Sequence, residues 1–323
     1  MSTLLVSSVG GHLAELHRLL PRLEGIERER VWVTFDTPQS RSVLDGEDVR
    51  FVAYTGPRDL VNVLRHSSVA MRMFAGRHQF SSVVSTGSGI ALSFLPIARL
   101  RGAQCHYIES ATRSLGPSLT GRMLSRLGGI SLYSQYRQWA RPPWIFSGSV
   151  FDTFSPGPQQ PCARPIGRAV VTLGTMEDYE FRALLERALA VLPDGVEVLW
   201  QVGCTDVAGL PISAHRQLPA RELRAAIAEA DVVIAHAGCG SSLDALAAGK
   251  MPVLIPRRGA YGENVDDHHA LIAEELDRRG LAVARSVERL CLDDLLLAAR
   301  GSVRAEAQAP PFKLELRNRA CER

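Results

Sequence analysis

Residues 236–244, His-Ala-Gly-Cys-Gly-Ser-Ser-Leu-Asp, have the side chains and spacing that suit an anion. The apolar run 231–235 before them reads as a buried strand, and the small-residue run after them reads as a helix ending near Gly249. A strand that gives way to a helix at a Gly-x-Gly turn aims unpaired backbone N–H groups, and a partial charge of roughly +0.5, at whatever lies beyond. Gly238, Gly240 and Ser241 therefore suit a nucleotide diphosphate. His236 either hydrogen-bonds that diphosphate or its sugar, or simply ends the strand.

Four further strand-end turns repeat the theme: Gly10-Gly11-His12, Gly87-Ser88-Gly89, Glu109, and Gly174-Thr175. Two of them carry a group suited to taking a proton from a hydroxyl. His12 follows Gly-Gly at the start of a helix, whose positive end favours a neutral, proton-accepting imidazole. Glu109 is the sole carboxylate between Asp59 and residue 151, set among Arg113, Arg122 and Arg126. A lone strand-end glutamate equally serves as a helix cap or an ion-pair partner, so the base is open between the two.

These turns need a scaffold that collects strand ends. Short apolar strands are expected at 3–7, 31–35, 50–54, 81–86 and 104–110, each followed by a turn or a helical segment. A second series starts at 169–175 and continues with strands at 196–202, 231–235, 251–256 and 281–284, separated by helices. The alternation predicts α/β architecture with parallel sheets covered on both faces. We expect a Rossmann-like doubly wound domain at 1–150, a Pro/Gly-rich linker at 151–168, a second such domain at 169–300, and a tail at 301–323 that either frames a last helix packing back on the first domain or frays. Ligands of such sheets bind beyond the carboxyl ends of the strands, so the turns are expected to face an interdomain cleft.

Composition narrows the class. With 46% hydrophobic and 22% charged residues in 323, the chain is an ordinary globular one, and its apolar runs are too short for a bilayer span. The start lacks the pattern of a secretory signal, which leads us to expect a cytoplasmic protein. Six scattered cysteines suggest neither disulfides nor zinc, and with no Asp-x-Asp pair we expect no metal. Residues 1–150 hold 17 arginines against 10 carboxylates, and 57–141 hold 11 against two. Aromatics are too sparse there for nucleic acid, which we exclude. Arginines alternating with Leu, Met and Phe over 58–79 suit an anionic membrane surface, with a solvated face as the plain alternative.

The segments HAGCGSSLDALAAGK and PVLIPRRGAYGENVDDHHALIAEEL resemble the nucleotide-sugar half of the family 28 glycosyltransferases, inverting GT-B enzymes of the MurG type. LLVSSVGGHLAEL, STGSGIALSF and YIESATR resemble the acceptor subunit of the dolichol-pathway GlcNAc transferase, and VTLGT with HAGCGSSLDAL resembles its donor subunit. The chain thus looks like the two fused, as in bacterial polysaccharide transferases.

The resemblance implies a UDP-sugar co-substrate with no other cofactor, and a hydroxyl of a lipid-linked saccharide as acceptor at the inner membrane face. It implies that Gly174, Thr175 and the 238–242 turn hold the diphosphate, that Asp244 stands where the family has Glu for the ribose, and that Arg257 or Arg258 touches base or phosphate. It places Asp267, His268 and His269 at the donor sugar, with His269 where Gln is common, which leaves the sugar open. Gly10, Gly11, Gly87, Gly89 and Arg113 fall on the acceptor side. An NADP-dependent oxidoreductase, a UDP-sugar epimerase and a non-catalytic membrane-recruiting subunit are the competing readings.

Overall fold

Strand Ser2–Ser7 (β1) is buried at every position, the mark of a parallel strand covered on both faces. In the computed structural model, which describes residues 2–54, 60–76, 80–160, 165–174, 179–263 and 268–315, it is the centre of one of two units. The first unit comprises Met1–Val150 with Ala309–Arg323, and the second Phe151–Gln308.

In the first unit β1 is followed by α1 (Gly11–Leu19), β2 (Leu23–Glu24), β3 (Arg30–Phe35), α2 (Pro38–Val43), β4 (Val49–Val52) and α3 (Leu60–Ala75). Then come β5 (Phe80–Gly87), α4 (Ile90–Leu100), β6 (Gln104–Ile108), α5 (Leu119–Ser125), β7 (Ser131–Ser134) and β8 (Trp144–Phe146). The sheet runs β4-β3-β1-β5-β6-β7-β8, with every pair parallel. Its order reverses between β1 and β5, so the turns after these strands and after β6 open on one edge. Leu4, Val6, Val33, Phe94, Leu95 and Tyr107 anchor its core.

The second unit comprises β9 (Phe154–Pro156), β10 (Arg168–Thr172), α6 (Arg182–Val191), β11 (Glu197–Gln201), β12 (Ala214–His215), α7 (Ala220–Glu229) and β13 (Val232–Ala235). It continues with α8 (Cys239–Ala247), β14 (Val253–Leu254), α9 (His268–Arg278), β15 (Val283–Ala284), α10 (Leu292–Arg300) and β16 (Val303–Ala305). Its parallel sheet has the order β12-β11-β10-β13-β14-β15, reversing between β10 and β13. Successive strand residues feed opposite faces. Val171 and Ile234 pack into one core layer, and Val170 and Val233 into the other.

Three expectations need correction. Residues 154–156 of the expected linker form β9, which pairs antiparallel with β16 and so belongs to the second unit. The tail returns to the first unit from Ala309, but as a strand rather than a helix: Phe312–Lys313 forms β17, parallel to β2. The short strands β7 and β8 and helix α5 lie where the sequence offered no periodic run, because three or four residues in a strand, or seven in a helix, are too few to display a period.

The tail is tied to the first unit by side chains as well as by β17. Phe312 is fully buried and packs edge-on against Tyr133, with ring centroids 5.8 Å apart. The Glu315 amide donates to the Tyr133 hydroxyl at 2.7 Å, and buried Arg22 donates to the carbonyls of Pro310 and Ser149. Phe312→Ala is expected to lower stability of the first unit by about 3–5 kcal/mol. Native-state hydrogen exchange should show the loss in β1 and β5 amides while β10 and β13 keep their protection.

Candidate active-site clusters

At the first sheet's reversal, β1 leads through Gly10 into α1, and the Gly10 amide donates to Gln39 Oε1 at 3.1 Å. His12 sits in the first turn of α1. Its Nδ1 lies 2.7 Å from the Thr86 carbonyl, and the Thr86 hydroxyl donates to the His12 carbonyl at 2.8 Å. A carbonyl oxygen only accepts, so Nδ1 carries the hydrogen and Nε2 is the basic nitrogen of the neutral ring. Gly87, at φ 104°, fits between that ring and Tyr107: a Cβ there would lie 3.2 Å from His12 Cε1 and 3.4 Å from the Tyr107 hydroxyl. Gly89 caps α4. The expected acceptor-side glycines Gly10, Gly11, Gly87 and Gly89 thus gather around His12 at the ends of β1 and β5.

Glu109 follows β6 and is 1% exposed. Oε1 accepts from the Tyr107 hydroxyl at 3.1 Å and the Ser110 amide at 3.3 Å, and Oε2 from the Ser118 amide and hydroxyl at 2.9 and 3.0 Å. Four donors occupy the carboxylate. Burial raises its pKa above the usual carboxylate value, against the opposing pull of Ser118, Tyr107 and the charge of Arg113. Glu109 is held as a clamp across a loop that ends where Ser118 caps α5.

A second buried carboxylate, which the sequence reading passed over, braces the same loop. Glu15 of α1 is fully buried and accepts from Ser110 Oγ at 2.6 Å, the Ala111 amide at 2.9 Å and Gln135 Nε2 at 2.9 Å. Tyr136, Gln138 and Trp139 donate to the carbonyls of Ala111, Ser114 and Arg113. Loop 109–118, which carries Arg113, is thereby pinned from several sides. The one signal for Glu15 was a charge between Leu13 and Leu16 on the apolar face of a helix.

In the second unit the reversal between β10 and β13 brings Gly174 to His236. The His236 ring Nδ1 is 3.3 Å from the Thr172 carbonyl, and the ring packs edge-on against His269 with centroids 5.2 Å apart. Two glycines make room for it. A Cβ on Gly174, which has φ 75°, would fall 2.6 Å from the ring, and one on Gly238 would fall 2.2 Å from Nε2. Between them Ala237 holds a left-handed φ of 60°, a strained conformation for a residue with a side chain.

Gly238 is the N-cap of α8 and supplies no side-chain cap. The amides of Gly240 and Ser241, in the first turn, therefore point out of the helix start. Asp244 lies one turn on, paired with Arg224 of α7 at 2.9 Å. His268 opens α9, and His269 is 5% exposed. Thr175 and Asp267 lie outside the described residues, as does the His268 side chain.

Arg257 departs from expectation. It is 1% exposed, and its guanidinium points inward, donating to the carbonyls of Leu173, Tyr179, Glu180 and Glu263 rather than towards the α8 start. Arg258, its alternative, is exposed, and its amide is held by Glu263 Oε2 at 2.9 Å.

Residues 168–306 match the family model of the glycosyltransferase family 28 C-terminal domain. Among solved structures the chain is similar to Acinetobacter baumannii MurG, at 19% identity over 92% of this chain and 89% of that one, with a TM-score of 0.55. It is similar to the glycosyltransferase SnogD from Streptomyces nogalater, at 18% identity over 92% and 90%, with a TM-score of 0.55. It is also similar to S. aureus MnaA in its UDP co-structure, at 10% identity over 93% and 92%, with a TM-score of 0.58. No curated protein sequence matches the chain.

Two substitutions separate a clamp from a base. His12→Gln is expected to lower kcat by about 10²–10⁴ with little change in stability. Glu109→Gln leaves donors around Ser118 unpaired and is expected to cost about 1–3 kcal/mol, read by urea unfolding, with the alkaline side of the activity profile unmoved. The sign with pH follows from the raised pKa. Charged Glu109 is disfavoured in the fold, so its contribution is full below the ordinary carboxylate pKa of 4.5 and is lost as pH rises through the raised value. The stability gap between wild type and Glu109→Gln should accordingly narrow as pH rises across that range.

Proposed function

We infer that this chain, a family 28-like GT-B glycosyltransferase dependent on a UDP-sugar, transfers the sugar by a single inverting displacement to a hydroxyl of a lipid-linked saccharide. The observation that carries this reading is the glycine-capped start of α8 at the β10/β13 reversal, beside a histidine seated between two glycines. A helix start of this kind is built for phosphate. The family match covers this same region, and the similar MnaA structure holds UDP.

The acceptor hydroxyl attacks the anomeric carbon as the bond to UDP breaks, and its proton passes to His12 Nε2. Negative charge grows on the departing diphosphate, where the amides of Gly240 and Ser241 and the dipole of α8 stabilise it without a metal ion. Asp244, oriented by Arg224, takes the ribose hydroxyls, and His269 with the 267–268 segment reads the sugar. Histidine offers one donor or acceptor per ring nitrogen where an amide side chain offers both, so the sugar preference differs from that of a glutamine-bearing relative. Glu109 and Glu15 keep the acceptor loop with Arg113 in place rather than touching the reacting atoms.

The acceptor's lipid accounts for the surface of the first unit. Leu64 on α3, Leu100 at the end of α4, Leu115 in the 109–118 loop and Leu119 at the start of α5 are 72%, 81%, 73% and 57% exposed. Arg99, Arg101, Arg122 and Arg126 are exposed on the same elements. Apolar side chains beside guanidinium groups suit peripheral attachment to an anionic leaflet, which we place at the inner membrane face. Among the described residues no helix is long and apolar enough to cross a membrane.

Calorimetry with UDP in the presence of EDTA tests the donor site. UDP is expected to bind, and Asp244→Ala to weaken it about tenfold or more, the value of a hydrogen bond to a charged group. Absence of UDP binding sinks the reading. For the membrane, co-sedimentation with vesicles containing phosphatidylglycerol should be lost when Arg99, Arg101, Arg122 and Arg126 become Glu, with UDP affinity intact; unchanged sedimentation rejects the surface.

A further inference from the structure

Arg257 is a buried cation whose hydrogen bonds run to main-chain oxygens. Nη2 donates to the Leu173 carbonyl at 3.0 Å, and Nη1 is shared among the carbonyls of Tyr179, Glu180 and Glu263, the last two at 3.3 Å. Its guanidinium carbon stands 5.4 Å from the centre of the Phe181 ring. Each of these acceptors sits at an end of a segment tied to the donor. Leu173 precedes Gly174, Tyr179 and Glu180 close the 174–180 connection into α6, and Glu263 begins the connection into His268 and His269 of α9.

We propose that Arg257 is a positioning residue: its guanidinium staples together the ends of the two connections that carry the donor-binding turns after β10 and β14, without itself touching the nucleotide. The proposal rests on the donor site assigned above. A planar fork suits the task, because donors leaving one rigid plane reach three chain segments at once, whereas an ammonium is a single point on a flexible stem. Burial lowers the Arg257 pKa to about 10, with Glu263 and Cys204 opposing the fall, so the group keeps its charge at neutral pH. Carbonyl dipoles share the solvation of that charge. Removing the guanidinium leaves those buried carbonyls short of donors and frees three anchors of the Gly174 turn and the approach to α9.

The test uses the full chain with Arg257→Lys and Arg257→Met. Hydrogen exchange without nucleotide is read at residues 179–181 and 257–263, with β11 and α7 as internal controls. Both variants are expected to speed exchange at these anchors and to leave the controls unchanged. UDP affinity is expected to fall on the order of tenfold in both, and Lys is not expected to restore it. Affinity restored by Lys, with exchange at the anchors unaltered, would mean direct charge contact with the diphosphate and overturn the staple. Unaltered exchange and unaltered affinity in Arg257→Met would overturn it as well. If Arg257→Met does not fold, Arg257→Lys gives the same readout. Failure of the wild type to bind UDP strikes the donor site alone, since the nucleotide-free exchange still decides the staple.

Discussion

Parallel pairing is the constraint from which the molecule follows. Strands that all run one way need a crossover between each pair, so every carboxyl end lands on the same edge of the sheet. In both units the order then reverses beside the first strand, between β1 and β5 and between β10 and β13, and helices leave to opposite faces there. A gap opens at each reversal that backbone cannot fill. The candidate groups collect at these two gaps: His12 with its glycines at one, His236 with α8 at the other.

What surrounds the gaps is polar and mostly buried, and its cost is met by counting donors. Glu109 and Glu15 accept from amides and hydroxyls on one loop, and Arg257 donates to carbonyls on two connections. In each case a full charge inside the fold is matched by main-chain dipoles that cannot move away. The result is stiffness where a site needs it, since a loop whose N–H groups are satisfied by a buried carboxylate has few other conformations open to it. Charge here serves as structural cement one layer behind the strand-end clusters.

This division sets what a reader of the sequence recovers. The glycine turns were legible because their backbone conformation and crowding admit little else: the left-handed φ at Gly174 and the ring against Gly238 are written in the residue type itself. The β/α alternation was legible where a strand sat in a marked apolar run and failed for β7, β8 and β17, whose partners rather than their own pattern define them. Glu109 was found, yet its role depends on Ser118 and Tyr107, nine residues downstream and two upstream. Arg257 followed a strand end like a ligand contact, and only the fold shows that its side chain turns inward. Glu15 gave almost no signal, because one buried charge on a helix looks like any surface residue until its neighbours are known.

The return of the tail alters what it would mean to divide this chain. Residues 151–308 are flanked on both sides by pieces of the first unit, so the polypeptide passes between the units twice. A single break within 157–160 would not release two independent proteins. The carboxyl-terminal fragment would keep β17 and Phe312, and it would carry its own docking peptide, one edge strand and one aromatic plug, seated beside β2 and against Tyr133 of the other fragment. A two-chain version of this architecture therefore comes with its tether already encoded, and strand exchange at β2 would hold the partners together even where nothing else did.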